Sequence, residues 1–186
     1  MRLLLVLSIL AAITTSGQLL LLTEELRNIT TTAMELSTIT YFSEPVNRLG
    51  FDTFQVFRDG TTDQAVLATT NNRCYVAFRG TDLSNVADIF QYFSLAEGDV
   101  DVCPLSDTSN CCRTRSGFAK AYYTPYRSSL ESSIAACTSS FCTNNNDECL
   151  ILTGHSQGGA AAQIAAIVLK AYNPFVITFG NEPSLN

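Results

Sequence analysis

The sequence predicts an α/β protein, a mixed, mostly parallel sheet flanked by helices, and three stretches carry that expectation. The apolar run Cys149-Leu150-Ile151-Leu152-Thr153 leads through a glycine-rich turn into a segment where Ala160, Ala161, Ile164, Ala165, Ile167, Val168 and Leu169 predict a mostly buried helix. Asn173-Pro174 stops that helix, and Phe175-Val176-Ile177-Thr178-Phe179-Gly180 reads as a second buried strand. Strand, helix and strand at these lengths form a βαβ unit, hence a parallel pair with a right-handed crossover. Upstream, β-prone runs at 51–57, 64–69 and 74–78 are separated by Asp59-Gly60 and Asn71-Asn72, which predicts a three-stranded meander.

At 186 residues, 46% hydrophobic and 15% charged, the chain suits one globular domain with a real core. A net charge of -6 and a pI near 4.6 argue against a nucleic-acid partner and against docking on anionic lipid through a basic patch. Neutral substrates fit better.

In chain order, Met1-Arg2 and the apolar run 3–13 precede the small residues Thr14, Thr15, Ser16 and Gly17. This pattern predicts a secretory signal over residues 1–17, cleaved near Gly17-Gln18, with residues 18–186 as the mature domain. The competing reading, a membrane anchor, needs roughly 20 apolar residues, more than the run supplies, so no transmembrane segment is expected. Thr23-Glu24-Glu25 offers a cap and an acidic first turn, and Leu26, Ile29, Ala33, Leu36 and Ile39 or Thr40 form one apolar stripe, so a helix is expected over about 23–42. The sequon Asn28-Ile29-Thr30 lies within it and permits glycosylation.

Residues 81–116 are rich in Asp, Ser and Cys around the apolar island Val86-Ala87-Asp88-Ile89-Phe90-Gln91-Tyr92-Phe93, and they predict a long excursion outside the core. Phe118, Tyr122, Leu130 and Ile134 predict a helix over 118–136 that Pro125 kinks or divides, followed by a polar loop over 138–148. Seven cysteines without metal-site spacing read as disulfides in a secreted chain. The connectivity is open: Cys103 with Cys111 or Cys112, and Cys137 with Cys142 or Cys149, would close short loops over polar stretches, and the seventh thiol must be free, intermolecular or paired outside this chain.

Gly154-His155-Ser156-Gln157-Gly158-Gly159, set between strand and helix, is a nucleophile-elbow pattern. Ser156 would sit at the tip of the turn. The glycines are expected because a Cβ at those positions would collide with the neighbouring strand or helix.

Val76-Ala77-Phe78-Arg79-Gly80-Thr81, Ser116-Gly117-Phe118, Gly154-His155-Ser156-Gln157-Gly158-Gly159 and Val176-Ile177-Thr178-Phe179-Gly180 follow one another in this order. Together they resemble the class 3 lipases, secreted α/β-hydrolases, from about Thr23 to the end. The resemblance implies an α/β-hydrolase-like fold whose C-terminal part is missing here. It implies that Ser156 is the nucleophile, that the N–H groups of Thr81 and Gln157 form the oxyanion hole, and that residues from about 83 to 93 form a lid that opens at a lipid–water interface. The substrate class would be a neutral lipid or other ester, with no cofactor and no metal. Two departures stand out: Arg115 occupies the position of a histidine usual in the family, and Asn181-Glu182-Pro183-Ser184 replaces Pro-Arg-Val-Gly-Asn after Phe179-Gly180.

In that fold the acid and then the histidine follow the serine in the chain. Here no histidine follows Ser156, and Glu182 is the one later carboxylate. His155 precedes the serine, where the turn is expected to send its side chain away from Ser156. Two expectations therefore stand: the N-terminal part of a lipase that is inactive alone, or a secreted, non-catalytic pseudo-hydrolase that binds a lipid or protein partner.

Overall fold

A computed structural model describes residues 24–58, 63–81, 98–142 and 148–180. The signal segment, Asp59-Gly60, the apolar island with the expected lid, and Glu182 lie outside these residues.

The chain runs α1 (Glu24–Ile39), β1 (Thr53–Arg58), β2 (Gln64–Thr70), β3 (Arg73–Phe78), β4 (Asp99–Val102), β5 (Cys112–Arg115), α2 (Ser116–Tyr122), α3 (Arg127–Phe141), β6 (Leu150–His155), α4 (Gln157–Val168) and β7 (Phe175–Phe179). Five strands form a mixed sheet in the order β1-β2-β3-β6-β7. The meander β1-β2-β3 is antiparallel, whereas β6 runs parallel to both β3 and β7. Asn71 and Asn72 turn β2 into β3 with φ of 51° and 57°, the left-handed pair that a two-residue hairpin loop needs to match strand twist.

The sheet is covered on both faces, which explains why its central strands read as unbroken apolar runs. Alternate residues face opposite ways. Val66, Ala68, Tyr75, Ala77 and Ile151 pack with Ile29, Ala33 and Leu36 of α1. Ala65, Leu67, Cys74, Val76, Phe78, Leu150 and Leu152 share the other core with residues of α2, α3 and α4. The predicted stripe of α1 is thus its buried side, and Ser37 adds a buried hydroxyl pair with Thr153 at 3.0 Å.

Three expectations need correction. Residues 81–116 are not wholly outside the core: β4 and β5 form a two-stranded hairpin in which Val102 and Thr114 are buried, and Val102 joins the core beneath α2. Short strands with polar outer faces lack the apolar density that sequence periodicity detects. The loop expected from residue 138 starts later, because α3 continues to Phe141, its serine and threonine hydroxyls turned back onto carbonyls one turn earlier instead of breaking the helix. Pro125 does divide its helix, with α2 ending at Tyr122 and α3 starting at Arg127.

The third correction concerns cysteine pairing. Cys103 pairs with Cys111, one of the two expected partners, but Cys137 pairs with Cys74 and Cys142 with Cys149. The hairpin register explains the first choice. Val102 faces Cys112 across the ladder, so Cys103 meets Cys111 one step on, and Cys112 is left as the free thiol. The Cys74–Cys137 bridge joins β3 to α3 over a sequence separation of 63, a tertiary contact that local spacing does not reveal.

Candidate active site

The turn between β6 and α4 places Ser156 at φ 55° and ψ -126°, a backbone conformation that side chains rarely adopt. Its N–H donates to the carbonyl of Phe179 on β7 at 2.9 Å, and its carbonyl accepts from Gly159 N at 2.9 Å. The turn is tight on both sides. A Cβ on Gly154 would lie within 3.0 Å of the backbone of Gly158, and a Cβ on Gly158 would overlap the carbonyl of Phe78 on β3. Glycine at these two positions lets α4 begin directly over the sheet, and Gly159 is buried in the same turn.

Thr81 and Gln157 meet beside the serine. Phe78 and Gly154 are partners in the parallel ladder, and Thr81 and Gln157 each lie three residues further along their strands' exits. The Thr81 hydroxyl donates to Gln157 Oε1. Gln157 is also the first residue of α4, so its N–H has no carbonyl one turn back to serve it and stands where a helix start presents donors to an anion.

His155, facing the other side of the sheet, points into an apolar cavity of about 480 Å³ lined by Met34, Ser37, Thr38, Tyr41, Phe42, His155 and Phe179. Its Nδ1 and the Tyr41 hydroxyl are hydrogen-bonded at 2.8 Å, with the two rings edge-on. Gly80 permits this approach, since a Cβ there would strike the Tyr41 hydroxyl and the His155 carbonyl. Nothing in the sequence around Tyr41 marks it as part of this contact. The tell-tale, a glycine next to Thr81, is visible in the sequence, but its partner is 39 positions earlier on another element.

Arg115, exposed, ends β5 at the N-cap of α2, opposite Asp99 in the β4–β5 ladder. Among the described residues, no group of His, Cys, Asp and Glu side chains could hold a metal ion, and no helix is long and apolar enough to cross a membrane.

A serine on a left-handed strand-to-helix turn, above a mixed sheet with helices on both faces, defines an α/β-hydrolase fold. The profile described as Lipase (class 3) matches residues 75–184, more than half of the sequence, and the chain belongs to that family. Among solved structures, it is similar to a fungal lipase in an inhibitor complex described as a model for interfacial activation, with 19% identity and a TM-score of 0.62. That match covers 89% of this chain and 65% of the fungal lipase, so the chain spans about two thirds of its length. A second match is an MDLA N225Q mutant from Penicillium cyclopium, at 18% identity and a TM-score of 0.49, covering 78% of this chain and 57% of the other. No curated protein sequence matches.

Proposed function

We propose that this chain carries the nucleophile and oxyanion hole of a secreted serine hydrolase that cleaves carboxylic esters of neutral lipids, in the manner of a triacylglycerol lipase. The observation that best supports the reading is the Ser156 turn itself, with the first N–H of α4 and Thr81 beside it. In the proposed reaction Ser156 Oγ attacks the ester carbonyl carbon while its proton passes to a base. The N–H groups of Thr81 and Gln157 then donate to the oxyanion, which gains most because these donors are already in place. Collapse expels the alcohol and leaves an acyl-serine, and water repeats the sequence to release the acid.

The base and its acid are assigned, by proposal, to polypeptide beyond the two thirds shared with the fungal lipase. His155 does not serve as base: its Nδ1 is bonded to Tyr41 on the α1 side of the sheet. In a comparable triad, loss of the histidine alone costs about 10⁶-fold in turnover. The 186-residue chain should therefore hydrolyse para-nitrophenyl butyrate no faster than background. Secretion fits the three disulfides, and the segment 83–93 is proposed as a lid that opens on emulsified lipid. The second reading, a non-catalytic binding protein, draws on the apolar cavity beside His155.

Fluorophosphonate labelling separates the two. A longer chain that includes the acid and base should label at Ser156 within minutes, hydrolyse emulsified triacylglycerol, and lose both properties in Ser156→Ala. A longer chain that folds cooperatively yet neither labels nor turns over ester would instead establish the binding protein.

A further inference from the structure

We infer that the side-chain amide of Gln157 is a positioning residue for the oxyanion hole, switching the Thr81 hydroxyl between a resting and a donating orientation. The inference rests on the hydrolase reading above and concerns a group that reading does not use, since there Gln157 contributes its backbone N–H alone.

The parallel register brings the two side chains together. With Phe78 paired to Gly154, and with Gly158 seated against the Phe78 carbonyl, the first turn of α4 is pressed onto the exit of β3, and the Gln157 side chain has Thr81 within reach. In the resting arrangement the Thr81 hydroxyl spends its one hydrogen on Gln157 Oε1 and can donate nothing to a substrate oxyanion. A primary amide presents an acceptor and two donors on opposite sides of one rotatable bond. Half a turn of that bond brings Nε2 to Thr81 Oγ1 as donor. The hydroxyl then accepts from Gln157, and its hydrogen is free to point at negative charge developing beside Ser156. A third donor is thereby armed, and the amide pins the hydroxyl oxygen in both states.

The test uses the longer chain that includes the acid and base, and an irreversible reaction at Ser156. Ethyl para-nitrophenyl hexylphosphonate is incubated at about pH 8, where the base takes the proton of Ser156 Oγ. The Oγ–P bond forms, the bond from phosphorus to the nitrophenyl oxygen breaks, and para-nitrophenolate leaves, while the phosphoryl oxygen occupies the oxyanion hole. Labelling is followed by intact mass, with Ser156→Ala as the blank. Gln157→Leu should slow labelling about tenfold, Thr81→Val by about the same factor or somewhat more, and the double variant no more than Thr81→Val alone. Thr81→Ser, which keeps the hydroxyl, should restore the dependence on Gln157. Urea midpoints should stay within error of one another across the set.

Additive losses in the double variant, or a Gln157→Leu rate equal to that of the unaltered chain, would overturn the inference and leave the hydrolase reading intact. A loss that follows a lowered urea midpoint and survives in the Thr81→Val background would mark Gln157 as merely structural and overturn it equally. If the longer chain with acid and base takes no label at Ser156, the hydrolase reading fails and this inference fails with it.

Discussion

Ser156 occupies backbone angles that cost a non-glycine residue roughly 1–3 kcal/mol, and the cost is met by the Phe179 hydrogen bond and by the packing of α4 on β3. Removing the side chain beyond Cβ does not relieve it, but removing Cβ does. Ser156→Gly should therefore be more stable than Ser156→Ala by about 1 kcal/mol, after allowing for the extra freedom glycine gives the unfolded chain, and both should abolish labelling. Equal urea midpoints for the two variants would show that the turn is unstrained. Gly154 and Gly158 were legible at this scale because steric exclusion of Cβ leaves glycine as the residue that fits, and the motif displays it. The Thr81–Gln157 and Tyr41–His155 contacts were not legible. Each joins residues more than 70 positions apart and exists through strand register or through the packing of α1, neither of which leaves a local mark.

At the scale of elements, helix periodicity showed α1, α3 and α4, and the asparagine pair showed the β2–β3 hairpin. What holds the broken helix together had no such signature. Across the Pro125 break, Glu131 Oε1 accepts from the Tyr122 hydroxyl and from Arg127 Nε, both at 2.6 Å, while the Arg127 guanidinium lies over the rings of Tyr122 and Tyr123. Residues at the end of α2 and in the first turns of α3 thus form one half-buried polar clamp around the buried Tyr122. Burial above all, and then the hydrogen bond and charge of Glu131, push the Tyr122 phenol well above the usual tyrosine range. The folded state holds this proton more tightly than the unfolded state, so the associated stability is intact below pH 10 and is lost as pH rises past the unfolded value of about 10. Urea titrations between about pH 9 and 11 should show stability falling by up to roughly 1.4 kcal/mol per pH unit at the alkaline end. Tyr122→Phe should flatten the fall while lowering stability near neutrality. Some slope will persist in the variant, because burial also raises Tyr75.

For the whole molecule, the meander and the βαβ pattern gave two pieces of the strand order, β1-β2-β3 and β6-β7, because each joins strands that are neighbours in sequence or separated by one helix; the parallel β3–β6 pairing that unites them had no such mark. The cysteine connectivity was hidden for the opposite reason: Cys74 lies inside β3 and Cys137 on α3, and nothing near either residue names the other. In the chain-entropy account, a bridge over this separation stabilises by roughly 4 kcal/mol, against roughly 2.5 kcal/mol for the short Cys103–Cys111 loop. Cys74→Ala/Cys137→Ala should accordingly lower the melting temperature by roughly 10 °C, and Cys103→Ala/Cys111→Ala by clearly less. Calorimetry giving the reverse order would mean that the buried bridge is strained or that the hairpin loop orders more of the chain than its length suggests.

The same bridge bears on the order of assembly. β1, β2 and β3 join through short turns and can pair as soon as they collapse, whereas β6 must find β3 from across the whole intervening hairpin and two helices. Once Cys74 and Cys137 are linked, the path from β3 to its partner Leu150 is roughly sixfold shorter, which lowers the closure entropy by roughly 1.5 kcal/mol. Oxidation thus turns a long-range parallel pairing into a nearly local one, and the contact order that limits folding speed falls with it. A chain synthesised in a reducing compartment would have to make the same pairing unaided, with its β3 edge open in the meantime to strands of other chains.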